Sequence, residues 1–479
     1  MLGIIPSSEK SNHGKQTGRN PKQNKKKSKA APHGKSSEED FPDAEFVQHK
    51  HTVLKSGDIC PECQSGKIYK YEPAQFIRIT GQAPLKATIH VIEQLRCNTC
   101  SKIFKAEVAP DLVKDGPTEQ RFGYSARAMI AMQKYCAATP FYRQHMLQKA
   151  MRVPISTSTL WDQCEEVANA ALAIYLRLIE HAANGWLLLS DDTSNRILKI
   201  EPMLKKKRHS NKEQLRTGVH TSGIVAFTKE NREIVLYKTG INHAGEFLDE
   251  LLSVRLPGLE PPLHMSDALS SNTATVMKTL KCLCNSHCRR LFVEQEENHP
   301  DEVEYVKGIY SKIYEHEAHT KEEEMSTSER LAYHRKHSLP LMEELLAWAK
   351  RQFDDRLVEP NSPLGGAIKY LLKHQTSLMA FCFHEGAPLD NNLQENKLRL
   401  VVLHRKNALF FKEEIGAKVA DIIMSVCATA VSAGVNVHEY LIELQRNKAD
   451  VKKNPDAYLP WVYQARLTEE KSRTGAQAG

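Results

Sequence analysis

An apolar run, Gly185-Trp186-Leu187-Leu188-Leu189, leads straight into Ser190-Asp191-Asp192. A run this short and this apolar reads as a buried strand. Two adjacent carboxylates at its end repel each other and are costly beside a buried element unless something compensates. The segments that follow narrow the choice. "HTSGIVAFT" and "EIVLYKTG" read as two further strands, "AGEFLDELLSV" as a short amphipathic helix and "PPLHMSDA" as a fourth strand that again ends in an acid, Asp267. The order βββαβ suggests a meander, with the strand after the helix added on the far side of the first and parallel to it. Asp191 and Asp267 then come together at neighbouring strand ends. Paired carboxylates destabilise a fold, but they suit a hard cation such as Mg²⁺, which prefers carboxylate oxygens and keeps several waters.

Upstream, "DICPEC" (58–63) and "LRCNTC" (95–100) are separated by the β-rich stretches "KIYKYE" and "ATIHVIEQL". Two C-x-x-C knuckles at hairpin ends predict a zinc ribbon in which Cys60, Cys63, Cys97 and Cys100 hold one structural Zn²⁺. The eleven cysteines of the 479-residue chain are too sparse for a disulfide framework. Residues 124–148 and 156–182 read as helices. Two readings stand for the pair: a helix-turn-helix-like DNA-binding region, or a helical linker packed on the next domain.

The net charge of +8 is concentrated at the N-terminus, where 1–35 carries nine Lys or Arg against the single acid Glu9. Such a segment cannot bury enough surface to fold alone and predicts a disordered basic tail that can bind a polyphosphate backbone without sequence preference. No stretch reaches the roughly 18 uninterrupted apolar residues of a membrane span. The nearest approach, "DIIMSVCATAVSAGV" (421–435), reads as a buried helix. With no apolar signal-peptide core at the start, a cytoplasmic protein is expected.

Residues 289–385 read as helical and charged. His316, Glu317 and His319 lack the H-E-x-x-H spacing and predict a solvated helix face. Near the end, Asp390-Asn391-Asn392 precedes a helix from about Leu393, which places Asn392, Glu395 and Arg399 on one polar face. Glu395 has two available roles: the back-reaching member of a capping box with Asn392, or a third carboxylate for the cation.

These motifs resemble those of transposases of the insertion sequence sixty-six family, part of the larger DDE group. The family's D-E-T stands here as Asp191-Asp192-Thr193, its D-G-Y as Asp267-Ala268-Leu269, and its C-x-x-H with two arginines as Cys284, His287, Arg289 and Arg290. D-N-N-x-x-E is intact at 390–395 and R-K-N at Arg405-Lys406-Asn407. The resemblance implies an α/β ribonuclease-H-like catalytic core with an all-α insertion, preceded by the zinc ribbon and the helical DNA-binding region. The implied organisation is a basic tail (1–45), zinc ribbon (46–115), helical region (116–183), first part of the core (184–287), helical insertion (288–385), last part of the core with the catalytic Glu (386–435) and a C-terminal tail (436–479).

The implied function is a DNA transposase that cuts the ends of a bacterial insertion sequence and joins them to target DNA by two-metal phosphoryl transfer. Asp191, Asp267 and Glu395 would hold Mg²⁺ or Mn²⁺. Arg399, Arg405, Lys406 and the Lys205-Lys206-Lys207-Arg208 loop are candidates for DNA contact, and Cys284, His287 and Asn392 are expected near the site. The implied partners are element terminal repeats, target DNA, further copies of the chain on DNA and accessory proteins of the same element, in a cytoplasmic, nucleoid-associated setting and without a membrane. The alternatives are a catalytically inactive relative that occupies element ends and a nuclease that cuts without joining.

Overall fold

The computed structural model describes residues 53–69, 83–96, 98, 103–107, 113–206 and 213–477. The chain divides into two units, 1–82 and 83–479. In the first, Ile59 forms an antiparallel bridge with Lys67. The turn between them closes through Cys60 N–H to Gly66 O at 2.7 Å and Gln64 N–H to Cys60 O at 2.9 Å. This is the first knuckle. Cys97 and Cys100 of the second lie outside the described residues, as do Lys207 and Arg208 and the basic tail.

The second unit begins with a short antiparallel pair, Gln94–Arg96 with Ile103–Lys105, followed by α1 (Tyr124–Tyr135), α2 (Phe141–Ala150) and α3 (Thr157–Ala183). The single helix expected over 124–148 is broken in two. Ala138 takes a left-handed φ of 52°, and Pro140, at the N-cap of α2, supplies no N–H and disfavours helix in the residue before it. α3 begins where the sequence places it, with Ser156 Oγ accepting from Thr159 N–H at 3.1 Å.

The central sheet follows: β1 (Leu187–Asn195), β2 (Val219–Phe227), β3 (Glu233–Gly240), then α4 (Ala244–Ser253), β4 (Leu263–Ser266) and β5 (Leu280–Leu283). The strand order is β5-β4-β1-β2-β3. β1, β2 and β3 form an antiparallel meander. β4 runs parallel to β1 and β5 parallel to β4; a parallel neighbour needs a crossover, which α4 supplies on the way to β4. A mixed sheet in this order, flanked by helices, is compatible with a ribonuclease-H-like core. β5 was not among the expected strands: four residues interrupted by Lys281 leave no period to read.

Beyond the sheet come α5 (Asn285–Val293), α6 (Pro300–Glu322), α7 (Thr327–His337), α8 (Leu339–Asp354), α9 (Pro363–Leu378), α10 (Asn392–Ala408), α11 (Glu414–Ser432), α12 (Val437–Arg446), α13 (Lys448–Lys453) and α14 (Pro460–Gln477). Two main cores form. One joins the sheet to α1, α3, α4, α10, α11 and α12. The other is enclosed largely by α5–α9 around Phe292, Tyr310, Ile313, Leu345, Trp348 and Leu371. Residues 436–479, expected as a tail, supply Tyr440, Leu441 and Leu444 to the first core.

α11 contains most of the apolar stretch weighed above as a span. Among the described residues it is the one helix long and apolar enough to cross a membrane, and most of it is buried inside the protein. Its polar residues show why. Thr429 Oγ1, Ser425 Oγ and Asp421 Oδ2 accept from the N–H groups of Val235, Tyr237 and Thr239 on the edge of β3, at 3.0, 2.8 and 2.8 Å. Every fourth helix residue meets every second strand residue, because about 6.0 Å of helix rise nearly matches about 6.8 Å of strand. The helix thereby satisfies an edge that would otherwise offer unpaired donors to another chain.

The expectation of a solvated face around Glu317 is corrected. The residue is only 8% exposed. Its carboxylate accepts from Arg330 at 2.8 Å and His334 at 3.0 Å and pairs with Lys321 at 3.0 Å. Arg330 and His334 lie on α7, so the pattern along α6 alone could not reveal them. Burial by itself would raise this carboxyl, but the His334 hydrogen bond and the Arg330 and Lys321 charges outweigh it and hold it at about 2.

Because the folded value lies below the ordinary 4.5, Glu317 contributes stability that is complete above that pH and is lost as pH falls towards 2. Glu317→Gln is expected to cost about 3–5 kcal/mol at pH 7, since Arg330 loses its buried partner. Urea unfolding of parent and variant should show this difference shrinking as pH falls through that window.

Candidate active site

Asp191 and Asp192 are successive residues of β1 and therefore point to opposite faces of the sheet. Asp191 pairs with Gly223 and Asp192 with Ser222. On the Asp191 face, α10 lies directly against the strands. A Cβ at position 223 would fall 2.2 Å from Gln394 Nε2 and 3.0 Å from Leu398 Cδ2. Only glycine admits the helix this closely. Tyr237 Oη on β3 donates to Lys397 O at 2.8 Å and fixes the helix from the other side.

The parallel pairing of β1 with β4 ends at Leu189 with Met265. Beyond it, Asp191 lies close enough to Asp267 to feel its charge. Burial raises the Asp191 carboxyl to about 7, the Asp192 N–H bonded to it at 2.8 Å opposes this, and the charges of Asp267, Asp192 and Glu395 add to the rise. The three expected carboxylates are thus close enough to repel. Asp267 Oδ1 is oriented by Leu269 N–H at 3.1 Å and Asn272 Nδ2 at 2.8 Å.

Glu395 takes no part in a capping box. The N-cap of α10 is Asn391, which makes no side-chain cap. Asn392, the first helical residue, instead donates from its N–H and Nδ2 to Asp390 at 3.1 and 2.7 Å. Glu395 Oε1 is buried without a hydrogen-bond partner, and so is His287 Nδ1, 3.7 Å away. Cys284, His287 and Glu395 place one ligand atom each within 4.8 Å of one another. Among the described residues, the other such set is Asp192, His220 and His243, so the acidic trio is the more open arrangement.

Asn391 holds this corner together. Its Nδ2 donates to Ser190 O at 3.1 Å and its N–H to Cys284 Sγ at 3.3 Å, which ties α10 to β1 and to the start of α5. The only sequence signal for Asn391 is its place in D-N-N. Ser190 is also bonded to the fully buried His264, at 2.7 Å. Of the proposed DNA contacts, Arg399 and Lys406 are exposed on α10. Arg405 is engaged, donating to Thr193 Oγ1 at 3.2 Å and Ser194 Oγ at 2.7 Å. Lys205 and Lys206 lie in a strand, Met203–Lys206, paired with Glu213–Arg216. In the cysteine knuckle, hydrogen bonds from Ser65 and Gly66 lower the Cys63 thiol to about 6, which favours the thiolate a metal needs.

A carboxyl raised to about 7 from 3.8 costs the folded state nothing below the lower value and its full penalty above the higher one. In metal-free buffer at pH 8, Asp191→Asn is expected to be more stable than the parent, on the order of 2–4 kcal/mol. At pH 4 the two should unfold at the same urea concentration.

The family model described as "Transposase IS66 family" matches residues 119–419, more than half of the chain. Two proteins of Sinorhizobium fredii (strain NBRC 101917 / NGR234) are similar to it. Uncharacterized protein y4jD is 23% identical over 384 residues, covering 77% of this chain and 71% of its own. Uncharacterized protein y4hP is 22% identical over 427 residues, covering 84% and 73%. With its five-stranded mixed sheet, the acids at the strand ends and the D-N-N-x-x-E helix all inside the matched span, the chain belongs to the transposase IS66 family.

Proposed function

We propose that this protein is a DNA transposase that cuts the ends of a bacterial insertion sequence and joins them to target DNA. The observation that carries the reading is the convergence of Asp191, Asp267 and Glu395, with Asp191 raised to about 7 by burial and like charge. Such an arrangement costs stability until a cation neutralises it. Carboxylate oxygens and the unpartnered Oε1 of Glu395 fit Mg²⁺ or Mn²⁺. When bound, the ions would lower the barrier to in-line displacement at a phosphodiester by stabilising the attacking and leaving oxygens.

The chain's own residues orient the ligands. Asp192 N–H holds Asp191, Asn272 holds Asp267, and Asn391 holds the helix that carries Glu395. In the reaction proposed, water first attacks the phosphodiester at an element end and frees a 3′-hydroxyl. That hydroxyl then attacks a target phosphodiester and displaces its 3′-oxygen. Exposed Arg399 and Lys406 on α10, with the basic residues Lys205, Lys206, Lys207 and Arg208, would contact DNA backbone, while Arg405 braces β1.

Cys60, Cys63, Cys97 and Cys100 would hold a structural Zn²⁺, and the basic tail would add affinity without sequence preference. The helices of 288–385 would form an insertion between the two parts of the core. DNA, further copies of the chain and accessory proteins of the element are the proposed partners, in the cytoplasm.

The test is cleavage and strand transfer on the flanking element ends. Asp191→Asn, Asp267→Asn and Glu395→Gln should bind DNA as the parent does but show no Mg²⁺- or Mn²⁺-dependent cleavage, a loss of at least about 10³-fold, the scale of a lost electrostatic stabiliser. Parent-level cleavage by Glu395→Gln would remove it from the site. An inactive parent that still binds ends would favour the occupying relative, and cutting without joining would favour the nuclease.

A further inference from the structure

On the face of the sheet opposite Asp191, two imidazoles close on Asp192. Ser194 pairs with His220 and Asp192 with Ser222, so His220 stands on the Asp192 face two residues along β2. His243 is the N-cap of α4. Its Nδ1 lies 2.9 Å from Asp192 Oδ2, while His220 Nδ1 lies 4.0 Å from Oδ1. Each nitrogen addresses a different oxygen of one carboxylate. The two rings lie 4.1 Å apart at 39°, and one ligand atom from each of the three residues falls within 4.8 Å of the others.

We propose that Asp192, His220 and His243 form a second metal site, distinct from the acidic trio, that takes a borderline divalent ion such as Zn²⁺. Two imidazoles and one carboxylate select Zn²⁺ over Mg²⁺, which requires oxygen donors. The site has a built surround. His243 N–H donates to Glu246 Oε2 at 3.0 Å, Glu246 pairs with Arg216, and Ala244 N–H donates to Asp192 Oδ2 at 3.3 Å. The side chains of Asp192, His220 and His243 keep 15, 23 and 31% exposure, enough for an ion to enter and for water to complete its coordination. On binding, the ion takes the place of the proton between His243 Nδ1 and Asp192: a neutral imidazole then carries its proton on Nε2, and an imidazolium releases one to solvent. The ion would clamp β1, β2 and the start of α4 together immediately behind Asp191.

The experiment uses the full chain equilibrated with buffered zinc and freed of excess. His220→Ala and His243→Ala should each lower bound zinc by about one equivalent relative to the parent, whereas Glu395→Gln should not. With Co²⁺, both variants should lose d–d absorption while the thiolate charge-transfer band of any cysteine-bound cobalt remains. In the unaltered protein, zinc should protect His220 and His243 from carbethoxylation by diethyl pyrocarbonate, read by peptide mass spectrometry. This arm decides the matter even where a variant does not fold. Unchanged zinc content in both variants, or equal labelling of both histidines with and without zinc, would overturn the proposal.

Discussion

Three acidic side chains are brought together where the fold gains nothing by having them. Asp191 sits half-buried near the charges of Asp267 and Glu395, and its carboxyl is raised to about 7 by burial and by those charges. A few kcal/mol of repulsion and desolvation is a large fraction of the net stability of any domain. The surrounding structure offsets it by rigid construction. Gly223 lets α10 lie against the strands, Asn391 pins that helix to β1, and Tyr237 fixes it to β3. The acids cannot move apart without undoing these contacts.

Around this corner the fold settles its polar groups by pairing elements distant in sequence. α11 seals the edge of β3 with Thr429, Ser425 and Asp421. Glu317 gathers Lys321, Arg330 and His334 between two helices of the second core. Both devices bury polar side chains with partners, which is the condition under which burial is tolerated.

Much of this was legible in the sequence, for identifiable reasons. The strand-end acids could be placed together because βββαβ has few right-handed, uncrossed solutions, and the pairing of β1 with β4 follows that order. Ser156 was readable as a helix start because a cap is local. What was not legible depended on distant partners. Glu317 looked solvated because its ligands come from the next helix. Asn391 showed nothing beyond its place in D-N-N because its acceptor, Ser190 O, lies about 200 residues away, a separation no local pattern encodes. Asp192 looked like a partner of Asp191, yet alternation along β1 sends it to the other face, where His220 and His243 meet it.

The central claim is that Asp191, Asp267 and Glu395 form one site for a hard divalent cation. Calorimetric titration of the full chain with Mg²⁺ between pH 6 and 8 tests it most directly, because Mg²⁺ has little affinity for imidazole or thiolate sites. The account predicts binding that tightens as pH rises through about 7, where Asp191 loses its proton, and that weakens by at least about tenfold, or 1.4 kcal/mol, in Glu395→Gln. Mg²⁺ binding that is flat across this range and indifferent to Glu395→Gln would contradict it.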